Sequence, residues 1–172
     1  MGTDVRQAMN KRTFLQSIGA TAAGLFAASC TGRSEARPAE TFEVTRTDAE
    51  WRRLLGPKRY AVLREADTEP ARSSPLDREH RRGTFVCAGC GLPLYSSAAK
   101  FDSGTGWPSF FRPLPDAVRI RPDRGWLGTR TEVHCRRCGG HLGHVFDDGP
   151  PPTGKRYCMN GLAMRFAPGQ TA

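Results

Sequence analysis

No stretch of this sequence approaches the ~20 continuous apolar residues that a membrane-spanning helix needs. The longest apolar run, from Ile18 to Ala28, is about half that length and is broken by glycine and threonine. Acidic residues are also scarce, 17 Asp and Glu against 26 Lys and Arg, so the 172-residue chain carries a formal charge of +9. That basic balance does not make a nucleic-acid module. Arg64, Arg72, Arg119, Arg124 and Arg130 are scattered along the chain instead of forming one stripe with interleaved aromatics. There is no internal repeat, which excludes a solenoid, and the length allows one domain plus tails. Apolar residues make up 38% of the chain, too many for disorder throughout. With 19 Gly, 13 Pro and only short apolar runs, it is a turn-rich domain of short strands and not a helical bundle.

What is present begins with an address. Lys11 and Arg12 precede Thr13, Phe14 and Leu15, the apolar run follows, and Ala27, Ala28 and Ser29 supply small residues. This is the layout of an export signal over residues 1–30. The string NKRTFLQS is similar to a twin-arginine signal with Lys11 in the first arginine position, and an ordinary secretory signal stays open. FAASC, ending at Cys30, resembles a lipobox with Ala27 where such boxes usually carry Leu. Lipidation of Cys30, giving a membrane-anchored protein, and cleavage beside Ser29, giving a soluble periplasmic one, are the two outcomes. The first thirty residues carry a net charge of +2, which leaves +7 on the remainder.

Residues 31–45 read as a linker, 46–168 as the domain and 169–172 as a tail. Thr47 and Glu50 have capping-box spacing, with Trp51, Leu54 and Leu55 expected on one helix face. Gly56 and Pro57 end that helix and open a second carrying Tyr60 and Leu63. Residues 66–83 form a polar connection. Strand-like segments follow at 84–86, 92–95, 117–121, 129–134, 142–146, 156–159 and 162–166, separated by Gly- and Pro-rich turns. The fold class is mainly β, one antiparallel domain with short helices leading in.

Four of the six cysteines form two Cys-x-x-Cys knuckles, Cys87 with Cys90 and Cys135 with Cys138, with 44 residues between Cys90 and Cys135. Gly91 and Gly139 follow them and free the backbone to point N–H groups at sulfur. Four thiolates fill a tetrahedral zinc site and leave no position for water or substrate, so one zinc per chain is structural here. Two disulfides are the competing reading for an exported chain, but a redox Cys-x-x-Cys is usually single and tied to a βαβ pattern.

Cys158, in KRYCMN, lies outside the knuckles, with Lys155 and Arg156 beside it to favour thiolate. His141 and His144, in HLGHVF, follow Cys138 closely. A thiol that a histidine can meet has the minimal equipment for nucleophilic attack with proton delivery. A redox sensor or thiol peroxidase would also use Cys158.

The strings CAGCGLPLYSSAAKFDSGTGWPSF, HCRRCGGHLGHVFDDGPPPTGKRYCMN and LAMRF resemble the zinc-bearing B-type methionine sulfoxide reductases over residues 47–168. The resemblance implies two antiparallel sheets of short strands in a β-tent-like arrangement. It implies reduction of the R epimer of methionine sulfoxide in oxidised proteins and peptides, by a monomer. Cys158 would be the nucleophile, His144 the acid, His141 its neighbour or water-positioning partner, and Asn160 a group that orients the site. Trp107 would pack on the sulfoxide methyl, with Phe110 and Phe146 completing the wall or serving as plain core. Thr105 stands where many members carry a resolving cysteine. The Cys158 sulfenic acid would therefore be recycled by an external thiol, thioredoxin-like proteins first and small glutathione-type thiols second. Outside this set, His80 and His134 read as surface residues, Asp147 and Asp148 as a turn, Trp51 as helix packing and Trp126 as a loop or edge residue.

Overall fold

Thr47 starts the first helix as its spacing predicts. Its hydroxyl accepts from the Glu50 N–H at 3.3 Å, while Glu50 Oε2 accepts from the Thr47 N–H at 2.8 Å, a reciprocal cap of the kind worth about 1 kcal/mol. The computed structural model describes residues 40–125 and 128–169. Helix α1, Asp48–Glu65, is interrupted at Gly56, whose φ of 67° and ψ of 172° are not helical, so its two halves are the two helices expected from sequence. Trp51, Leu55, Tyr60, Val62 and Leu63 are buried. Leu54, expected beside them, is 54% exposed. Trp51 and Leu55, four residues apart, take the core face, and Leu54 falls about 100° off it. Among the described residues no helix is long and apolar enough to cross a membrane.

Among the described residues nine strands follow: β1 Gly83–Cys87, β2 Pro93–Ser96, β3 Lys100–Phe101, β4 Ser109–Phe110, β5 Val118–Gly125, β6 Gly128–Cys135, β7 His141–Phe146, β8 Arg156–Met159 and β9 Met164–Pro168. They form two antiparallel sheets, β2-β1-β9 and β3-β4-β8-β7-β6-β5. The two-residue strands β3 and β4 carry no sequence signal of their own. The last strand starts at 164 because Gly161–Ala163 form a 3₁₀ turn.

The core lies where the sheets meet. Tyr95 of β2 stacks on Phe110 of β4 at 4.3 Å, and Phe85 of β1 meets Phe110 edge-on at 4.9 Å. The Tyr95 hydroxyl, fully buried, reaches Met159 Sδ of β8 at 3.1 Å. Burying each such aromatic contributes roughly 1.5–3 kcal/mol. Phe110 therefore belongs wholly to the core, which corrects its candidacy for the substrate wall.

His134, expected at the surface, is 1% exposed. Its Nε2 lies 3.0 Å from Glu40 Oε2, and Phe42 packs edge-on against it. Residues 40–45 are thus held against β6. Glu40 also accepts from Arg119 at 2.9 Å, and the Val44 N–H donates to the Arg137 carbonyl at 3.0 Å. The residues from 1 to 39, including Cys30, and Trp126 lie outside the described residues.

Candidate active site and metal centre

The catalytic candidates gather around strand β8, which carries Cys158. It runs between β4 and β7, so Cys158 has Ser109 opposite it on one side and His144 on the other. This register depends on Gly143, where a Cβ would fall 2.1 Å from the Cys158 carbonyl oxygen. Only glycine lets β7 approach β8 this closely.

Cys158, His144, Trp107, Asn160 and Phe146 line one cleft of about 130 Å³, together with Thr68, Arg130, Gly143 and Met159. Of the residues singled out in the sequence, His141 and Phe110 are not in its lining. His141 is buried behind His144, ring centres 5.3 Å apart. A larger groove of about 790 Å³ beside α1 shares Thr68 with the cleft and contains neither Cys158 nor a histidine.

Burial pushes the Cys158 thiol up from its ordinary value, and the Thr105 hydroxyl, the Arg156 charge and the Ser109 hydroxyl pull it back only in part. Burial thus outweighs the charge of the basic neighbours. Lys155 is turned away and pairs with Asp147. Arg156 holds Asp148 through two hydrogen bonds and lies 4.4 Å over the Phe146 ring. Asp147 and Asp148 are exposed turn residues, as read from sequence.

Thr105 sits 3.8 Å from Cys158 Sγ. Its hydroxyl is 2.8 Å from Ser103 Oγ, which is 2.7 Å from the buried Ser109 Oγ. The loop carrying Trp107 thus lies against the nucleophile, and its hydroxyls lie beside the sulfur.

Each histidine is held by a carboxylate that sequence reading did not single out. His144 Nε2 donates to Asp123 Oδ2 at 2.8 Å, and Arg130 donates to the same oxygen at 2.7 Å. Both partners come from the β5–β6 hairpin. Burial lowers the His144 pKa, and Asp123 opposes that shift. With Nε2 committed, Nδ1 is the ring atom left for proton exchange. His141 Nδ1 is 2.9 Å from Glu132 Oε1, and its Nε2 is buried with no hydrogen-bond partner among the described residues. Burial works against Glu132 ionising, but the His141 and Arg121 hydrogen bonds hold its carboxyl down at about 2.

Asn160 follows β8, with its Nδ2 donating to the Leu142 carbonyl at 3.3 Å. Trp107 donates from Nε1 to the Glu69 carbonyl at 3.0 Å. Asp123, Glu132 and Glu69 lie 21, 9 and 38 residues from the partners they hold, and no local spacing announces them.

The metal centre forms on the seam between sheets. Cys87 ends β1, Cys135 ends β6, and the four Sγ atoms of Cys87, Cys90, Cys135 and Cys138 lie within 4.8 Å of one another. Cys87 and Cys138 are 3.7 Å apart, and Cys90 and Cys135 are 3.5 Å apart. A zinc tetrahedron with ~2.3 Å bonds has sulfur–sulfur edges of about 3.8 Å, so these residues fit the ion. Gly91 and Gly139 turn left-handed, φ 73° and 68°, and donate back to the Cys87 and Cys135 carbonyls. Leu92 and Cys138 N–H groups point at the Cys90 and Cys135 sulfurs. Trp51 covers the first knuckle, since a Cβ on Gly89 would lie 3.6 Å from both Trp51 Cζ3 and Cys138 Sγ.

Residues 55–168 match the SelR domain family. The chain is 54% identical over 124 residues to a protein of Thiobacillus denitrificans, covering 72% of this chain and 94% of that relative. It is 47% identical over 126 residues to one of Leptospira interrogans, covering 73% and 96%, and 48% identical over 124 residues to one of Methanosarcina barkeri, covering 72% and 87%. All three relatives are named peptide methionine sulfoxide reductase MsrB. A family match over most of the chain, and relatives matched over nearly their whole length, lead to one conclusion: the chain belongs to the SelR-domain family, the B-type methionine sulfoxide reductases.

Proposed function

We propose that this protein reduces the R epimer of methionine sulfoxide in oxidised proteins and peptides, with Cys158 as nucleophile and His144 as acid. The observation that carries this reading is the direct cross-strand placement of Cys158 and His144 in a cleft walled by Trp107. The Cys158 thiolate attacks the sulfoxide sulfur, and the sulfoxide oxygen takes a proton from His144. That oxygen then passes to the Cys158 sulfur as hydroxyl, leaving the thioether of methionine and a sulfenic acid. The thiol must lose its proton first, and a carboxylate-held imidazole opposite it is the group placed to receive and return that proton. Trp107 and Phe146 give the methyl group an apolar wall, and a nucleophile fixed on one face of the cleft selects one epimer by shape. His141 supports His144 from behind without lining the cleft. Zinc bound by the four knuckle cysteines supplies a crosslink between the sheets and no open coordination site.

His144→Ala is expected to slow the reductive step by ~10²–10⁴-fold, the usual worth of a positioned acid. Asp123→Asn removes the partner that opposes the fall in the His144 pKa, so the alkaline limb of the pH–rate profile moves to lower pH. A larger loss in His141→Ala than in His144→Ala, under single-turnover conditions, would reverse the assignment of the acid.

Thr105 at the position beside the nucleophile leaves Cys158 as the one described cysteine outside the metal cluster. After one turnover without reductant, residues 31–172 are expected to carry a trappable sulfenic acid at Cys158 and no intramolecular disulfide. An external thiol, thioredoxin-like by this reading, then attacks Cys158, releasing water and forming a mixed disulfide that a second thiol resolves. Peptide mapping that joins Cys158 to a knuckle cysteine during turnover would overturn this scheme. By this reading the protein is an exported monomer, periplasmic or membrane-anchored through a lipidated Cys30.

A further inference from the structure

Glu69 lies in the polar connection after α1, a segment to which sequence reading gives no role. It is 3% exposed and makes four hydrogen bonds in three directions. Its carboxylate accepts from the Gly161 N–H at 2.6 Å and the Leu162 N–H at 2.8 Å, on the turn that follows Cys158 and Asn160. Its own N–H donates to Asn160 Oδ1 at 3.0 Å, and its carbonyl accepts from Trp107 Nε1 at 3.0 Å. Thr68, the residue before it, lines the cleft itself.

A buried carboxylate is an expensive way to fill space, because an apolar side chain would cover the same surface without losing hydration. Here burial pushes the carboxyl pKa up, with the two N–H groups opposing. What the carboxylate provides that an apolar residue cannot is a fixed distance between two backbone segments. One segment carries the groups that hold Trp107 and Asn160, and the other leaves the nucleophile's strand.

We infer that Glu69 is a positioning residue: its carboxylate anchors its own segment to the Gly161–Leu162 turn, and the anchored backbone sets Trp107 and Asn160 around the sulfoxide. The inference rests on the assignment of this cleft to the substrate. Glu69 does not touch the reacting atoms and acts through the residues that line the cleft. In any variant at 69 the two backbone hydrogen bonds still have their atoms, so what changes is their placement.

The test uses the full protein, with Glu69→Ala and Glu69→Gln measured per Cys158 titrated by alkylation and at verified metal content. Glu69→Ala is expected to lower kcat/KM for a methionine-R-sulfoxide peptide on the order of 10²-fold, with the larger share in KM. Glu69→Gln keeps one acceptor oxygen and turns an amide toward the other N–H, so it is expected to fall between wild type and Glu69→Ala. The Trp107 indole N–H resonance, assigned by its loss in Trp107→Phe, is expected to shift in both variants. A merely structural role would lower the fraction of active protein and leave the KM of the remainder unchanged. A KM within about two-fold of wild type in Glu69→Gln, or an unmoved indole resonance, overturns the inference. Glu69→Gln alone carries the test if Glu69→Ala does not fold. An active Cys158→Ser would overturn the cleft assignment and the inference with it. An inert Cys158→Ser beside unaltered Glu69 variants overturns the inference alone.

Discussion

Cys158→Ser is expected to abolish methionine sulfoxide reduction, a loss on the order of 10⁴-fold or more, since no other group in the cleft can form the bond to sulfur. The substitution exchanges one small polar group for another in a half-buried position, so thermal stability and metal content should stay at wild-type values. Serine keeps the hydrogen-bonding neighbours Thr105 and Ser109 in place, but its hydroxyl is far harder to ionise and cannot carry the transferred oxygen as a sulfenic acid. Turnover of a chromophoric methionine-R-sulfoxide substrate with excess dithiol checks this. Activity within a few-fold of wild type would show that another residue attacks the sulfoxide, and the roles of His144 and Trp107 would have to be reassigned.

The largest effect on stability is expected at the cysteine cluster. One zinc per chain should be found in protein purified without chelator. Cys135→Ala, or removal of the metal from wild type, should unfold the domain or drop its Tm below working temperature. The magnitudes decide this. Structural zinc in small domains is bound with roughly 10–16 kcal/mol at neutral pH, and a domain of this size holds only about 5–15 kcal/mol in total. Cys135 closes β6 while Cys87 closes β1, so losing one thiolate releases a tie between the two sheets. Elemental analysis that finds no metal, or mass analysis that finds two disulfides among Cys87, Cys90, Cys135 and Cys138, would refute the assignment.

Sequence made visible those features whose signal is local. The two knuckles carry their spacing with them, Thr47 and Glu50 announce their helix start, and the alternation in the 129–134 segment announces β6. Trp51 was legible as helix packing because its i, i+4 partner Leu55 sits in the same helix. What escaped depends on register and long-range contact. Leu54 and His134 have the composition of one environment and occupy the other, because a kinked helix and the residues at 40–42 decide what is covered. Phe110 and Phe146 could not be told apart from sequence. One enters the sheet interface and the other the cleft, a choice made by Tyr95 and Phe85 stacking on the first. Asp123 and Glu69 were invisible for the same reason. Both act across turns and strands that bring distant segments together, and a carboxylate in a polar stretch looks like any other solvated charge. The thiol's raised pKa belongs to this group too, since burial outweighs the basic neighbours that sequence placed beside it.

The pairing of β1 with β9 has a consequence for how the protein is made. β1 is the middle strand of its sheet and takes its second neighbour from Met164–Pro168, beyond the catalytic strand β8. During synthesis, segments become available in order, so β1 can pair with β2 early but waits with one open edge until β9 has left the ribosome. Such an edge is a template for pairing with another chain. The knuckle residues Cys87 and Cys90 wait in the same interval for Cys135 and Cys138, so the nascent chain carries an unpaired edge and uncommitted thiols together. Until β9 has been made, that intermediate is open to strand pairing with another chain.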